Sequence, residues 1–189
     1  MPEFTFGTDN KDASFQKKFP LAKVPALETH GPEQLCLAES GAIALFVADS
    51  GPARTRLLGA DAFQRAKVMQ WVLHTELEIS PNVFAGIRPK VGRAEYDADV
   101  EAKALTALDR IVAVVESTLA SGQPWLVPGT TEFSLADLTA MGSLSAALKL
   151  WLDKAWRDRH PNTMAWFSRL LAVPEVHEVY DDFKFVDEV

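Results

Sequence analysis

Lys23-Val24-Pro25-Ala26-Leu27-Glu28, followed after a short gap by Glu39-Ser40-Gly41-Ala42-Ile43-Ala44, is the stretch around which the rest of the chain is organised. Val24-Pro25 is not a mid-helix step, because proline lacks the N–H and its ring clashes with the preceding turn. A proline just before a strand is a place where a cis bond can be locked in and backbone presented to a ligand. Glu39-Ser40 then supplies a carboxylate, a hydroxyl and N–H groups at a helix start, where the helix dipole favours an anion. The two segments together suit a small, peptide-like ligand that bears a carboxylate.

On the N-terminal side, Phe4-Thr5-Phe6 alternates and reads as a short strand stopped by Gly7. Residues 12–18 read as a short helix capped by Asp12, with Lys17 and Lys18 in its last turn. Residues 24–28 and 35–37 read as two strands of a hairpin across a Gly31-Pro32 turn. Residues 39–49 read as a mostly buried helix through Ile43, Leu45, Phe46 and Val47. Ser50-Gly51-Pro52 is the break that divides the chain into domains at 1–50 and 51–189.

Beyond the break the pattern turns helical. Ala62, Ala66, Met69, Leu73 and Leu77 fall on one helix face, and Pro81 ends or kinks it. Residues 86–92 read as a loop. Ala104, Leu108, Ile111, Val115 and Leu119 form a second stripe, closed by Gly122 and Pro124. Helices are expected at 134–154, 161–173 and 175–180. The helix at 134–154 opens on Ser134-Leu135-Ala136-Asp137, a capping-box pattern with Asp in the usual Glu position, flanked by Phe133 and Leu138 as a hydrophobic staple. That Ser/Asp pair is a structural cap, worth about 1 kcal/mol, and not a catalytic pair. Gly142 in the same helix is expected to permit a close helix contact. The fold class is thus a small α/β part followed by an all-helical part.

The chain has 189 residues, 48% of them hydrophobic and 24% charged, enough for a packed core. A net charge of −7 and a pI near 5.1 argue against a direct nucleic-acid partner or an anionic membrane. One cysteine, Cys36, rules out an internal disulfide framework and suits a reducing compartment. With no signal-peptide pattern at Met1-Pro2-Glu3-Phe4-Thr5-Phe6 and no transmembrane stretch, a cytoplasmic protein is the expectation.

Three motifs, in order, resemble the glutathione transferase superfamily. Residues 23–28 resemble its cis-proline strand, residues 39–43 its helix start, and Phe133-Ser134-Leu135-Ala136-Asp137 the capping box of its sixth helix. Within the superfamily the likeness is closer to the N-terminal domain of the elongation factor 1 gamma subunit. It is carried by Phe4-Thr5-Phe6-Gly7 with Asn10-Lys11, by residues 15–21, by Val68-Met69-Gln70-Trp71-Val72, and by His160-Pro161-Asn162-Thr163-Met164-Ala165-Trp166-Phe167. The resemblance implies a GST-like fold, with a thioredoxin-like N-terminal domain and an all-helical C-terminal domain. It implies a non-catalytic scaffold of the elongation factor 1 complex that binds the nucleotide-exchange subunit and other members of that complex. Alternatives are an active glutathione transferase, or a GST-like appendage of a protein such as an aminoacyl-tRNA synthetase. Homodimerisation is common in such relatives and stays open. The implied ligand is glutathione, with no cofactor required. Val24 would pair with its cysteinyl part and Glu39 and Ser40 with its γ-glutamyl end, in a site formed by Lys23, Val24, Pro25, Glu39 and Ser40. The chain opens at the counterpart of the family's second strand, so the resemblance also implies a partial N-terminal domain without the first strand, its helix and the residue beside the glutathione thiol.

Other chemistry-bearing residues read as structural. Ser14 and Ser40 have no base at an evident position. Cys36 lies on an apolar strand with no cation nearby and reads as an inert thiol. His30, His74, His160 and His177 show no metal-ligand spacing. Arg54, Arg56, Arg65 and Lys67 form a solvated basic face, and Trp151, Trp156 and Trp166 read as core.

Overall fold

The computed structural model describes residues 4–31 and 34–188, so Pro32 of the expected Gly31-Pro32 turn lies outside the described residues, as do residues 1–3. The chain divides into two compact units, Met1–Ala53 and Arg54–Val189. The first is a small α/β unit and the second is entirely helical, the architecture implied by the motifs.

In the first unit, residues 4–6 are not the expected strand. Local bonds consume the backbone groups that a strand would offer sideways. The Thr5 N–H donates to the Asp9 carboxylate at 2.6 Å, and the Thr5 carbonyl accepts from Thr8 and Asp9 at 3.2 and 3.0 Å. The chain therefore winds into a 3-10 turn at Asp9–Lys11. Helix α1, Ala13–Lys18, starts as expected at Asp12, whose carboxylate accepts the Ser14 N–H at 2.7 Å. Strands β1, Ala26–Glu28, and β2, Cys36–Ala38, form an antiparallel ribbon with Ala26 opposite Ala38 and Glu28 opposite Cys36. The Lys18 ammonium reaches the Glu28 carboxylate at 2.7 Å and ties α1 to β1. Helix α2, Ser40–Ser50, packs on both strands, yet only Gly41 and Ala48 are buried. The expected burial of Phe46 and Val47 does not occur: a two-stranded ribbon covers one side of α2 and leaves the other to solvent.

In the second unit, α3, Arg54–Leu58, leads through Gly59 into α4, Ala62–His74. Gly59 has φ +96°, and a Cβ there would lie 2.9 Å from the Arg65 nitrogen, so the turn demands glycine. A wide π-helical turn, Thr75–Ile79, joins α4 to α5, Ser80–Ile87. Pro81 thus does not end the helix; it falls in the first turn of α5, where its missing N–H costs little. A 3-10 turn at Pro89–Val91 precedes α6, Ala98–Ala120, which buries the five residues of its expected stripe. Then come α7, Leu135–Leu150; α8, Lys154–Asp158; α9, Pro161–Leu171; and α10, Pro174–His177. The expected helix over 134–154 is split because the Asp153 carboxylate caps a new start, accepting the Trp156 N–H at 2.8 Å. α4 and α5 pack on α7, and α6 packs on α5 and α9.

Two expectations about this core are reversed. On α4 and the π-helical turn after it, the stripe read from the sequence faces outward: Met69, Leu73 and Leu77 are 38%, 49% and 69% exposed. The buried face is Val68, Trp71 and Val72, continued by Thr75 and Ile79. α4 carries two apolar stripes, and the one with the tryptophan wins, its indole N–H donating to the Leu126 carbonyl at 2.9 Å. The close contact expected at Gly142 belongs to Gly86. A Cβ on Gly86 would sit 2.4 Å from the Trp151 ring, whereas one on Gly142 would meet only Tyr180 Oη at 4.0 Å. Residues 86–92 are accordingly not one loop, since Gly86 and Ile87 end α5.

Candidate functional site

The candidate ligand site belongs to the first unit and is built from the backbone outward. Asn10 is buried, and its amide donates to the Ala22 carbonyl at 2.7 Å while its oxygen accepts the Gly7 N–H at 2.6 Å. Those bonds fix the approach to Val24. The Val24-Pro25 bond is cis. The last rung of the ribbon is Ala26 opposite Ala38, so Val24-Pro25 runs into one strand and Glu39-Ser40 leaves the other at that same end. Four of the five expected residues therefore flank one end of the hairpin. Lys23 lies one residue earlier, exposed, with no ion-pair partner among the described residues. Cys36 lies at the other end of the ribbon, opposite Glu28.

Glu39 is the unusual member. β2 ends at Ala38 and α2 begins at Ser40, so this one residue turns the chain from strand to helix. It does so at φ 69° and ψ 122°, a conformation that costs a non-glycine residue about 1–3 kcal/mol. Its side chain makes no capping bond to α2 and is exposed. A carboxylate that makes no capping bond thus stands at a helix N-terminus, next in sequence to Ser40 and at the end of the ribbon that Val24-Pro25 enters. That set can take an ammonium on Glu39, a carboxylate on Ser40 and the first N–H groups of α2, and an extended peptide backbone on Val24.

In the second unit Ser134 and Asp137 form the expected capping box. The Asp137 carboxylate is fully buried and accepts four donors: the N–H groups of Leu126 and Ser134 at 2.9 and 2.8 Å, the Ser134 hydroxyl at 2.9 Å, and the Trp166 indole at 2.9 Å. Burial pushes its carboxyl above the ordinary value, against the pull of those donors. With its oxygens committed, it is a structural hub. Sequence reasoning missed a second hub, Glu116 on α6. Its carboxylate accepts the Thr163 N–H at 2.6 Å and both the backbone and side-chain N–H of Asn162 at 3.2 and 2.9 Å, capping α9 from a neighbouring helix. The Pro161-Asn162-Thr163 start was the available signal, since proline at the first helical position leaves the next two N–H groups in need of an acceptor. It missed Asn10 as a positioning residue as well; Gly7 three residues before it was the local hint.

Residues 2–49 match the family model described as Glutathione S-transferase, N-terminal domain, and residues 79–174 match Glutathione S-transferase, C-terminal domain. The chain is 40% identical over 179 residues to a glutathione S-transferase-like protein of Aspergillus aculeatus, covering 95% of this chain and 83% of that one. It is 34% identical over 188 residues to elongation factor 1-gamma-A of Xenopus laevis, spanning 41% of that longer protein. The crystal structure of the GST-like domain of elongation factor 1-gamma from Saccharomyces cerevisiae superposes with a TM-score of 0.78 at 32% identity, covering 93% of this chain and 80% of that one.

Proposed function

Because the chain belongs to the glutathione S-transferase family, we propose that it is a non-catalytic, glutathione-binding domain whose ligand sits at the Val24–Glu39 end of the hairpin. Glu39 takes the γ-glutamyl ammonium, and Ser40 with the start of α2 takes the adjoining carboxylate. Val24 pairs with the cysteinyl backbone, and Lys23 offers charge to the remaining carboxylate. The observation that carries this reading is the strained, exposed Glu39, held at positive φ with a side chain that makes no capping bond to α2. The non-catalytic part rests on placement: Cys36 lies at the far end of the ribbon, and the Ser14 hydroxyl lies on α1 beside the Asp12 cap.

Isothermal titration with reduced glutathione tests the site. The expected result is saturable binding that Glu39→Gln weakens at least tenfold, about 1.4 kcal/mol, with an unchanged melting curve. No heat from the native chain, or equal affinity in the variant, contradicts the reading. Turnover of an electrophile with glutathione contradicts its non-catalytic part.

The match to the elongation factor 1-gamma domain favours a second, compatible reading. In it the chain is a cytoplasmic scaffold of the elongation factor 1 complex that binds the nucleotide-exchange subunit. The outward stripe of Met69 and Leu73 on α4 and Leu77 on the following turn is then the contact for a homodimer. Co-purification with the exchange subunit supports the scaffold role, and a monomer by sedimentation at all concentrations removes the dimer.

A further inference from the structure

Among the described residues, two that are not glycine have positive φ, Ala22 at 52° and Glu39 at 69°. Both lie at the proposed ligand site, Ala22 two residues before Val24 and Glu39 one before Ser40. Positive φ is disfavoured at any residue with a Cβ, so the surrounding structure must hold it. For Ala22 the holder is Asn10.

The Ala22 N–H donates to the Phe19 carbonyl at 2.9 Å, which closes a turn on the side before it. The Ala22 carbonyl accepts from the Asn10 amide, twelve positions earlier, at 2.7 Å. That carbonyl and the Lys23 N–H belong to one peptide plane, so the bond from Asn10 orients the plane from which Lys23 leaves. The Asn10 amide is itself fixed, because its oxygen accepts the Gly7 N–H at 2.6 Å. Asn10 is also the one buried polar residue described in the first unit. On the far side, Ala26 is locked into the ribbon opposite Ala38. Lys23-Val24-Pro25 is therefore a short span held at both ends.

We propose that Asn10 is a positioning residue that sets ligand selectivity. By holding Ala22 in the left-handed region it presets Lys23 and Val24, so that the site prefers glutathione to γ-glutamylcysteine, the same ligand without its glycine. The proposal rests on the reading of the site given above, in which Lys23 meets the carboxylate farthest from Glu39. The two hydrogen bonds of Asn10 go to Gly7 and Ala22, so its loss disturbs the Lys23 end of the ligand and spares the Glu39 end.

Calorimetry of the 189-residue chain with each of the two ligands tests this. The native chain prefers glutathione at least tenfold. Asn10→Ala weakens glutathione at least tenfold and γ-glutamylcysteine less than threefold, so the preference collapses. Glu39→Gln, at the other end, weakens both ligands alike. Adding Ala22→Gly to Asn10→Ala recovers at least threefold of the lost glutathione affinity, because glycine occupies the left-handed region without a holder. An asparagine that only filled the core would not be rescued in this way. If Asn10→Ala does not fold, Ala22→Val is read instead. It leaves Asn10 in place and puts a β-branched residue where positive φ is an outlier, and the same collapse is expected. Equal losses for both ligands, or no rescue by Ala22→Gly, overturn the proposal. A native chain that binds neither ligand removes the ligand reading and this proposal together. A native chain that prefers glutathione, with variants that keep the preference, removes this proposal alone.

Discussion

Two carboxylates stand at helix starts in this protein, and they are held in opposite ways. Asp137, in the first turn of α7, is fully buried and accepts four hydrogen bonds from three separate segments. Glu39, just before α2, is exposed, makes no capping bond and sits at positive φ. The first position is favourable for folding and has nothing left for a ligand. The second is unfavourable for folding and has its carboxylate available. Under the proposed function, stability and recognition are separated between the two helix starts, and substitutions at each should respond with opposite signs.

Asp137→Ala breaks the comparison at its stable end. It strands two buried N–H groups, a hydroxyl and an indole N–H, and the expected loss is about 3–5 kcal/mol in urea unfolding. A loss under about 1 kcal/mol would show that water or repacking replaces the hub. Glu116→Ala is the intermediate case, a cap supplied from another helix, and should cost about 1–2 kcal/mol by the same measurement.

Glu116 also predicts a pH dependence. Burial alone would raise its carboxyl, but the donors from Thr163 and Asn162 outweigh that and hold it below its ordinary value of 4.5. A carboxyl lowered in the folded state stabilises fully above its unfolded value. The stabilisation is lost as pH falls below about 4.5 through the lower folded value. Unfolding followed between pH 6 and 2 should be flatter in Glu116→Gln than in the native chain. The smallest effect is at the other end: Glu39→Gly relieves a strained backbone and should raise stability by about 0.5–1 kcal/mol.

The same contrast explains what the sequence made legible. The cis Val24-Pro25 step and the helix start at Ser40 were readable because each is set by its own local chemistry. The α6 stripe was readable because that helix carries one dominant apolar face. α4 carries two, and only the long-range bond from Trp71 to Leu126 decides which one is buried. The strand expected at residues 4–6 failed on a local competition, the Asp9 carboxylate taking the Thr5 N–H that a strand would have used. Gly86 was misplaced because its partner, Trp151, is 65 residues away in sequence and no periodicity signals such a contact. Asn10, which fixes Ala22 across twelve positions, was hidden for the same reason.

The most direct test of the account is one variant measured twice. Glu39→Gly should be at least as stable as the native chain in urea unfolding and should bind reduced glutathione at least tenfold more weakly by calorimetry. A variant destabilised by more than about 1 kcal/mol would show that Glu39 serves the fold, and one that binds as tightly as the native chain would show that its carboxylate serves no ligand.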